Sequence, residues 1–158
     1  MIWEVTRILS VSLSGAVLMF LVQPWLYRSA IGFFLVTDLD IEDWLAEQYT
    51  PGAAIVFGTA LVATILWYLM ALNKPATSSS EVAPMRLPWG LLLLIPIIGI
   101  CCALYFFNKS NDALLSLTFL YVVDILVLYW FATAISSPGL LKFIPPGSFT
   151  LRHWMRMQ

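Results

Sequence analysis

The chain has 158 residues, of which 61% are hydrophobic and 11% are charged, and its net charge is −1. Soluble domains average about 45–50% apolar and about 25% charged residues, and a fold this small buries too little of its surface to hide the excess from water. The composition therefore indicates an integral membrane protein, and it points neither to a nucleic acid partner nor to a soluble substrate.

Four apolar runs are long enough to cross a bilayer, which takes about 20 helical residues. We expect transmembrane helices at about 8–27, 53–72, 89–107 and 113–135. The runs are continuously apolar, whereas the strands of a membrane barrel would alternate apolar and polar residues. The first run is too long for the apolar region of a signal peptide, so we expect it to be retained. The predicted fold is one all-α integral membrane domain with four transmembrane helices and short interfacial amphipathic helices.

The connection 28–52 between the first two runs is acidic. Asp40 is typical of a helix N-cap, because acidic residues follow it in the next turn. Amphipathic spacing after Asp40 predicts a short surface helix with Trp44 in the lipid headgroup layer. The acids of this connection form either a solvated cap or a docking surface for a partner domain or cations; they are Asp38, Asp40, Glu42, Asp43 and Glu47.

Two further segments lie outside the apolar runs. The segment 73–88 is rich in serine and proline and is typical of a flexible linker. The segment 136–158 is a basic tail with an amphipathic helical pattern, which favours contact with anionic lipid. Contact with a partner protein is the alternative for this tail, and the residues concerned are Arg152, Trp154 and Arg156.

Basic residues are distributed unequally between the two sides of the predicted helices. One side carries two of them, Arg28 and Lys109. The other side carries Arg7, Lys74, Arg86, Lys142, Arg152 and Arg156. Because short loops rich in Lys and Arg stay in the cytoplasm, both termini are predicted to be cytoplasmic.

Asp124 lies near the middle of the fourth run, where an ionisable side chain is costly and usually functional. The four runs contain no Lys, Arg or His at a matching depth, so we expect Asp124 to be protonated and to donate a hydrogen bond to a neighbouring helix. Tyr121, one turn earlier, is a candidate companion, and Gln23 is a polar residue of the first run. Asp124 is interpreted either as an interhelical contact worth about 0.6–2 kcal/mol or as a relay for protons or cations. A cationic partner from another subunit is a further alternative.

Small residues at four-residue spacing mark places where membrane helices can approach closely. Such residues occur in the first two runs; they are Ser10, Ser14 and Gly15, then Ala54 and Gly58, then Ala60 and Thr64.

The sequence offers no motif for catalysis. Cys101 and Cys102 are adjacent and form no CxxC pattern, and the single histidine, His153, lies in the tail. No HExxH motif, Ser–His pair or phosphate-binding glycine loop is present. We therefore predict no enzyme activity and no metal site. Lipid contact is expected, while pigment ligation through His153, Gln23 or Asp124 and contact with chlorophyll or carotenoid are left open.

Two stretches resemble small thylakoid membrane proteins of cyanobacteria that are associated with photosynthetic complexes. They are Trp3-Glu4-Val5 through Trp25-Leu26-Tyr27, and Ile144-Pro145-Pro146-Gly147-Ser148 through Arg152, about a quarter of the chain. The resemblance implies a thylakoid location, with the acidic connection in the lumen and the basic tail in the cytoplasm. It transfers no catalytic or pigment-binding residue.

These observations predict a non-catalytic membrane subunit or assembly factor of a larger membrane complex, with a photosystem as one candidate. The membrane would be a thylakoid or a bacterial inner membrane. The alternative is a small proton- or cation-coupled transporter, or a channel-like oligomer, that uses Asp124.

Overall fold

The protein is represented by a computed structural model that describes residues 2–37, 39–73, 86–109, 113–135 and 145–155. Within these ranges the regular structure is helical and contains no strand. Helix α1 comprises Ile2–Val17, a π-helical segment Leu18–Val22 and Gln23–Arg28. Helix α2 comprises Ile41–Trp44, a π-helical segment Leu45–Tyr49 and Thr50–Asn73.

Helix α3 is Arg86–Phe107. Helix α4 comprises Leu114–Ile125, a π-helical segment Leu126–Phe131 and Ala132–Ala134, and the short helix α5 is Ser148–Trp154. The first four helices are long and apolar enough to cross a membrane, over Trp3–Arg28, Ile41–Asn73, Leu87–Phe107 and Leu114–Ala134. The chain is thus an all-helical integral membrane protein with four transmembrane helices, as the sequence predicts.

The second transmembrane helix begins twelve residues earlier than the expected residue 53, at Ile41. Asp40 is its N-cap, as predicted, and its Oδ1 accepts a hydrogen bond of 2.9 Å from the amide of Glu42. The predicted surface helix is instead the first part of α2, because the helix continues without interruption through residues 45–52. At 1.5 Å per residue α2 is about 50 Å long, so it extends beyond a hydrocarbon core of about 30 Å.

Prolines inside α1 and α2 explain why two of the π-helical segments occur where they do. A proline lacks an N–H and its ring collides with the carbonyl four residues earlier, which usually kinks or ends a helix. The π-helical segments Leu18–Val22 and Leu45–Tyr49 end two residues before Pro24 and Pro51. Local π-helical turns are a recognised way for membrane helices to accommodate proline. Both helices therefore continue past a residue that usually breaks them.

Helix α2 occupies the centre of the bundle and packs against α1, α3 and α4. Close approach to α3 depends on Gly99, because a Cβ atom at that position would collide with Thr59 of α2. Close approach between α1 and α4 depends on Gly15, where a Cβ atom would collide with Leu128. The prediction of close contacts at small residues is confirmed at Gly15 and agrees with the burial of Ala60 and Thr64. It is wrong for the exposed Ser10, Ser14 and Ala54 and for Gly58, which faces open space.

The predicted linker is largely outside the described residues, since 74–85 are not described. The same holds for 136–144 and 156–158 of the tail. The described part of the tail contains α5, and the indole of Trp130 in α4 donates a 3.2 Å hydrogen bond to the carbonyl of Pro146 just before it. This contact fixes the start of α5 beside the last transmembrane helix.

Candidate functional site: a buried polar cluster

Three polar side chains from three transmembrane helices meet in the centre of the bundle. The side-chain nitrogen Nε2 of Gln23 in α1 donates to Oδ1 of Asp124 in α4 over 2.6 Å. The hydroxyl of Tyr49 in α2 lies 2.6 Å from the side-chain oxygen of Gln23. All three side chains are buried, with at most 1% of their surface exposed. We call Gln23, Tyr49 and Asp124 the polar cluster.

The polar cluster also involves a backbone carbonyl. The Tyr49 hydroxyl lies 2.6 Å from the carbonyl oxygen of Met19, one turn before Gln23 in α1. The second carboxyl oxygen of Asp124, Oδ2, is buried and has no hydrogen-bond partner. The cluster therefore joins α1, α2 and α4, and it leaves one polar atom of Asp124 unpaired.

Each helix that contributes to the polar cluster has a π-helical segment at this level. Gln23 directly follows the segment in α1, Tyr49 is the last residue of the segment in α2, and Asp124 lies two residues before the segment in α4. Single π-helical turns inside α-helices are frequent at functional sites, because they shift side chains and release backbone carbonyls. The backbone of all three helices thus departs from α-helical geometry where these side chains meet.

Aromatic residues pack beside the polar cluster. The ring of Tyr27 lies 4.7 Å from the ring of Trp44 and 6.0 Å from that of Tyr49, measured between centroids. The Tyr27 hydroxyl donates a 2.8 Å hydrogen bond to Ser116 of α4. Trp44 is completely buried, and its indole N–H has no hydrogen-bond partner. The surface position predicted for Trp44 is wrong, because the helix that carries it packs into the bundle.

The structure brings together two of the three polar residues predicted within the membrane. Asp124 is hydrogen-bonded to Gln23 of a neighbouring helix, but the side-chain nitrogen of Gln23 is the donor in this bond, whereas the sequence predicts that Asp124 donates. Tyr121 is buried as well, but its hydroxyl points to α2, where a Cβ atom added at Gly52 would lie 2.6 Å from it. The sequence does not single out Tyr49, because this residue lies in the predicted acidic connection 28–52.

The amphipathic pattern of the acidic connection held the signal that could have identified Tyr49. The spacing of Ile41, Trp44 and Gln48 continues through Gly52 and Val56 into the second apolar run. Such continuity is typical of one long helix with a single buried face. Thr50-Pro51-Gly52 concealed the continuity, since Pro and Gly normally mark a break.

The acidic residues proposed as a docking surface have different roles in the described chain. Asp38 lies outside the described residues. Asp40 caps α2, and the Glu42 carboxylate forms a two-pronged ion pair with the Arg28 guanidinium at 2.7 and 2.8 Å. Asp43 and Glu47 are exposed on one face of α2, four residues apart. Among the described acids of this connection, Asp43 and Glu47 are therefore the ones whose exposed carboxylates neither cap a helix nor form an ion pair.

The tail residues proposed for contact with lipid or a partner are only partly described. Trp154 is 81% exposed at the end of α5, and His153 beside it is also exposed. The side chain of Arg152 and the whole of Arg156 lie outside the described residues. The exposed indole of Trp154 agrees with a position at the membrane surface.

The described part of the chain contains no group of three or more His, Cys, Asp or Glu side chains placed to hold a metal ion. The chemistry that the polar cluster offers is hydrogen bonding between helices and the binding of a proton by one carboxyl group. Comparison with protein families, curated proteins and solved structures gave no match to this chain.

Proposed function

We propose that this protein is a non-catalytic membrane subunit or assembly factor that packs laterally against a larger membrane complex. The observation that carries the proposal is that the interior polar side chains bond to one another across three helices. Apart from the unpaired Oδ2 of Asp124, the bonding groups of the polar cluster are directed at neighbouring helices of the same chain. This arrangement is typical of polar contacts that hold membrane helices together.

The outer surface of the bundle supports the same proposal. Helix α3 packs mainly against α2, and it exposes one long apolar stripe. Its members are Leu87, Leu91, Leu94, Ile98 and Tyr105. Helix α1 exposes a second apolar surface that includes Leu9, Leu13, Leu21 and Trp25. Either surface is suited to lateral contact with lipid or with another membrane protein.

The location and orientation belong to the same proposal. The resemblance of the terminal stretches to thylakoid proteins makes photosynthetic complexes the first partners to test. The unequal distribution of basic residues supports a cytoplasmic position for both termini, with Asp43 and Glu47 on the opposite side. Accessibility of tags at the two ends to a protease added to sealed, oriented membrane vesicles tests this orientation.

The proposed function is tested by purification from native membranes in a mild detergent, followed by mass spectrometry of the co-purifying chains. We expect a defined set of membrane proteins, and an absorption spectrum of the same sample reports bound pigment. Leu94→Trp on α3 and Leu13→Trp on α1 each add a bulky side chain to one of the two apolar surfaces, which would disturb a partner packed there. Loss of a partner in only one of the two variants therefore identifies the contact surface. Migration of the wild-type protein only as a free monomer would contradict the proposal.

One observation favours a second candidate, a proton- or cation-coupled transporter. The unpaired Oδ2 of Asp124 is a buried polar atom that an ion or a proton could use. Against this, the bonds of the polar cluster link helices side by side, whereas a relay needs a series of titratable groups across the membrane. Asp124→Asn in liposomes with a pH-sensitive dye separates the candidates, because a transporter would lose its proton flux.

A further inference from the structure

The protons available for hydrogen bonding in the polar cluster can be counted, beginning with the one that the Met19 carbonyl accepts. In an α-helix its carbonyl would accept from the amide of Gln23, but that amide bonds to the carbonyl of Leu18 across the π-helical turn. The next residue is Pro24, which has no N–H. The Met19 carbonyl therefore relies on the Tyr49 hydroxyl, 2.6 Å away, for its hydrogen bond.

The Tyr49 hydroxyl has a single proton, yet two oxygen atoms lie 2.6 Å from it. If the proton is given to the Met19 carbonyl, the side chain of Gln23 must turn its NH₂ group toward Tyr49. The oxygen and nitrogen of an amide side chain are assigned from the hydrogen-bond network, so this orientation is an equivalent placement of the same atoms. The Gln23 oxygen then faces Asp124.

Two oxygen atoms 2.6 Å apart need a proton between them. With the Gln23 oxygen facing Asp124, only the carboxyl group can supply that proton. The 2.6 Å distance between Gln23 and Asp124 is typical of O–H···O bonds, and it is shorter than the usual 2.7–3.2 Å range of N–H···O bonds. Geometry and hydrogen-bond counting lead to the same assignment.

We propose that Asp124 binds one proton in the folded protein and that this proton completes a one-directional hydrogen-bond chain across three helices. Asp124 Oδ1–H donates to the oxygen of Gln23, the amide nitrogen of Gln23 donates to the Tyr49 hydroxyl, and Tyr49 donates to the Met19 carbonyl. The proposal concerns the protonation of this cluster and does not depend on the proposed function. It makes the association of α1, α2 and α4 dependent on a bound proton.

The surroundings of Asp124 agree with a neutral carboxyl group. Neither of the ion pairs in the described part of the chain includes Asp124; they join Arg7 with Glu4 and Arg28 with Glu42 at the helix ends. The unpaired Oδ2 is then a neutral carbonyl oxygen, which costs far less to bury than half of a charged carboxylate.

The titratable groups near Asp124 are phenols. Tyr49 of α2 belongs to the polar cluster, Tyr121 precedes Asp124 by one turn in α4, and the ring of Tyr27 in α1 lies 6.0 Å from the ring of Tyr49. On the side of α3, the residue beside Gly52 and the Tyr121 hydroxyl is Ala103, and alanine has no titratable group. Phenols are neutral at neutral pH, so none of these neighbours supplies a charge that would stabilise an ionised Asp124.

The first test is infrared spectroscopy of the full chain in lipid at neutral pH. We expect a protonated-carboxyl C=O band in the wild type and in Asp43→Asn, an exposed control, and loss of the band in Asp124→Asn. Gln23→Leu should retain the band and shift it to the frequency of a carboxyl group without a hydrogen bond. Absence of the band from the wild type, or its persistence in Asp124→Asn, would overturn the proposal.

The second test uses reversible unfolding in mixed micelles across pH. An aspartate in the unfolded chain is ionised at neutral pH, so unfolding releases the proton of Asp124. Stability then falls as pH rises, and the unfolding equilibrium constant of the wild type relative to Asp124→Asn increases up to tenfold per pH unit. Equal pH dependence in the two proteins would overturn the proposal. Should Asp124→Asn fail to fold, the infrared result for the wild type and Gln23→Leu decides.

Discussion

The hydroxyl of Thr64 in α2 lies 2.8 Å from the backbone carbonyl of Leu128 in α4 and 2.9 Å from that of Ala60 in its own helix, and its one proton is shared between these two acceptors. Leu128 belongs to the π-helical segment Leu126–Phe131, and Thr64 is completely buried. The contact resembles the one between Tyr49 and Met19, since in both a side-chain hydroxyl of α2 reaches a carbonyl in a π-helical segment of a neighbouring helix. Helix α2 is thus joined to the irregular turns of α1 and α4.

Thr64→Val tests this contact, because valine has nearly the shape of threonine but no hydroxyl. We expect a loss of about 0.6–2 kcal/mol in the free energy of unfolding, the range of hydrogen bonds between membrane helices. The matched control is Thr118→Val, because the exposed Thr118 hydroxyl bonds only to the carbonyl of Leu114 in its own helix. The control should change stability by less than about 0.5 kcal/mol. Equal effects in the two variants would show that the contact with Leu128 contributes nothing.

The number of transmembrane helices and the last two spans could be predicted from sequence, because apolar runs of spanning length are a direct consequence of bilayer thickness. The start of α2 could not. Thr50-Pro51-Gly52 is a helix break in a soluble context, and only packing inside the bundle makes the π-helical turn before Pro51 favourable. The sequence pattern shows the proline, but it does not show the packing contacts that stabilise the helix around it.

Only part of the polar cluster could be predicted from the sequence. Asp124 and Gln23 stand out as polar residues in apolar runs, although the sequence suggests Tyr121, and not Gln23, as the companion of Asp124. Tyr49 and the Met19 carbonyl do not stand out, because a tyrosine is common at membrane surfaces and a free carbonyl is a property of the folded backbone. The partners that complete the cluster therefore became visible only in the structure.

Trp44 provides a test of how deeply the first part of α2 is packed. Because its side chain is fully buried beside Tyr27 and Tyr49, Trp44→Ala should leave a cavity and cost about 3–5 kcal/mol of unfolding free energy. Trp25→Ala is the control, since that indole is 56% exposed on α1. If Trp44 were instead a headgroup anchor, the two substitutions would have similar, small effects in a thermal unfolding assay.

Gly99 provides a test of the close contact between α2 and α3. A methyl group there would meet the side chain of Thr59, whose Cβ and Cγ2 atoms would lie 3.0 and 3.1 Å away. Overpacking of this kind costs about 1–3 kcal/mol, which outweighs the gain of about 1 kcal/mol from replacing glycine in a helix. We expect Gly99→Ala to be destabilising.

The control for Gly99 is Gly90→Ala in the same helix, where nothing lies within 4 Å of an added Cβ atom. This substitution should be neutral or stabilising by up to about 1 kcal/mol, since only helix propensity changes. Equilibrium unfolding of the two variants in the same detergent provides the comparison. Stabilisation of both would show that α2 and α3 are farther apart than the structure has them.

Tyr49→Phe removes the one hydroxyl that reaches both Met19 and Gln23. The Met19 carbonyl then has no hydrogen-bond donor, because the backbone amide of Gln23 bonds to the carbonyl of Leu18 and Pro24 has no N–H. We therefore expect the free energy of unfolding to fall by about 1–3 kcal/mol. Tyr105→Phe on the exposed surface of α3 is the matched control and should have little effect. Residues of one hydrogen-bond network show coupling energies of about 0.5–3 kcal/mol in double-mutant cycles. The changes in unfolding free energy caused by Tyr49→Phe and Gln23→Leu should therefore be non-additive in such a cycle. Strict additivity would mean that Tyr49 and Gln23 act separately and that no continuous hydrogen-bond chain joins the three helices.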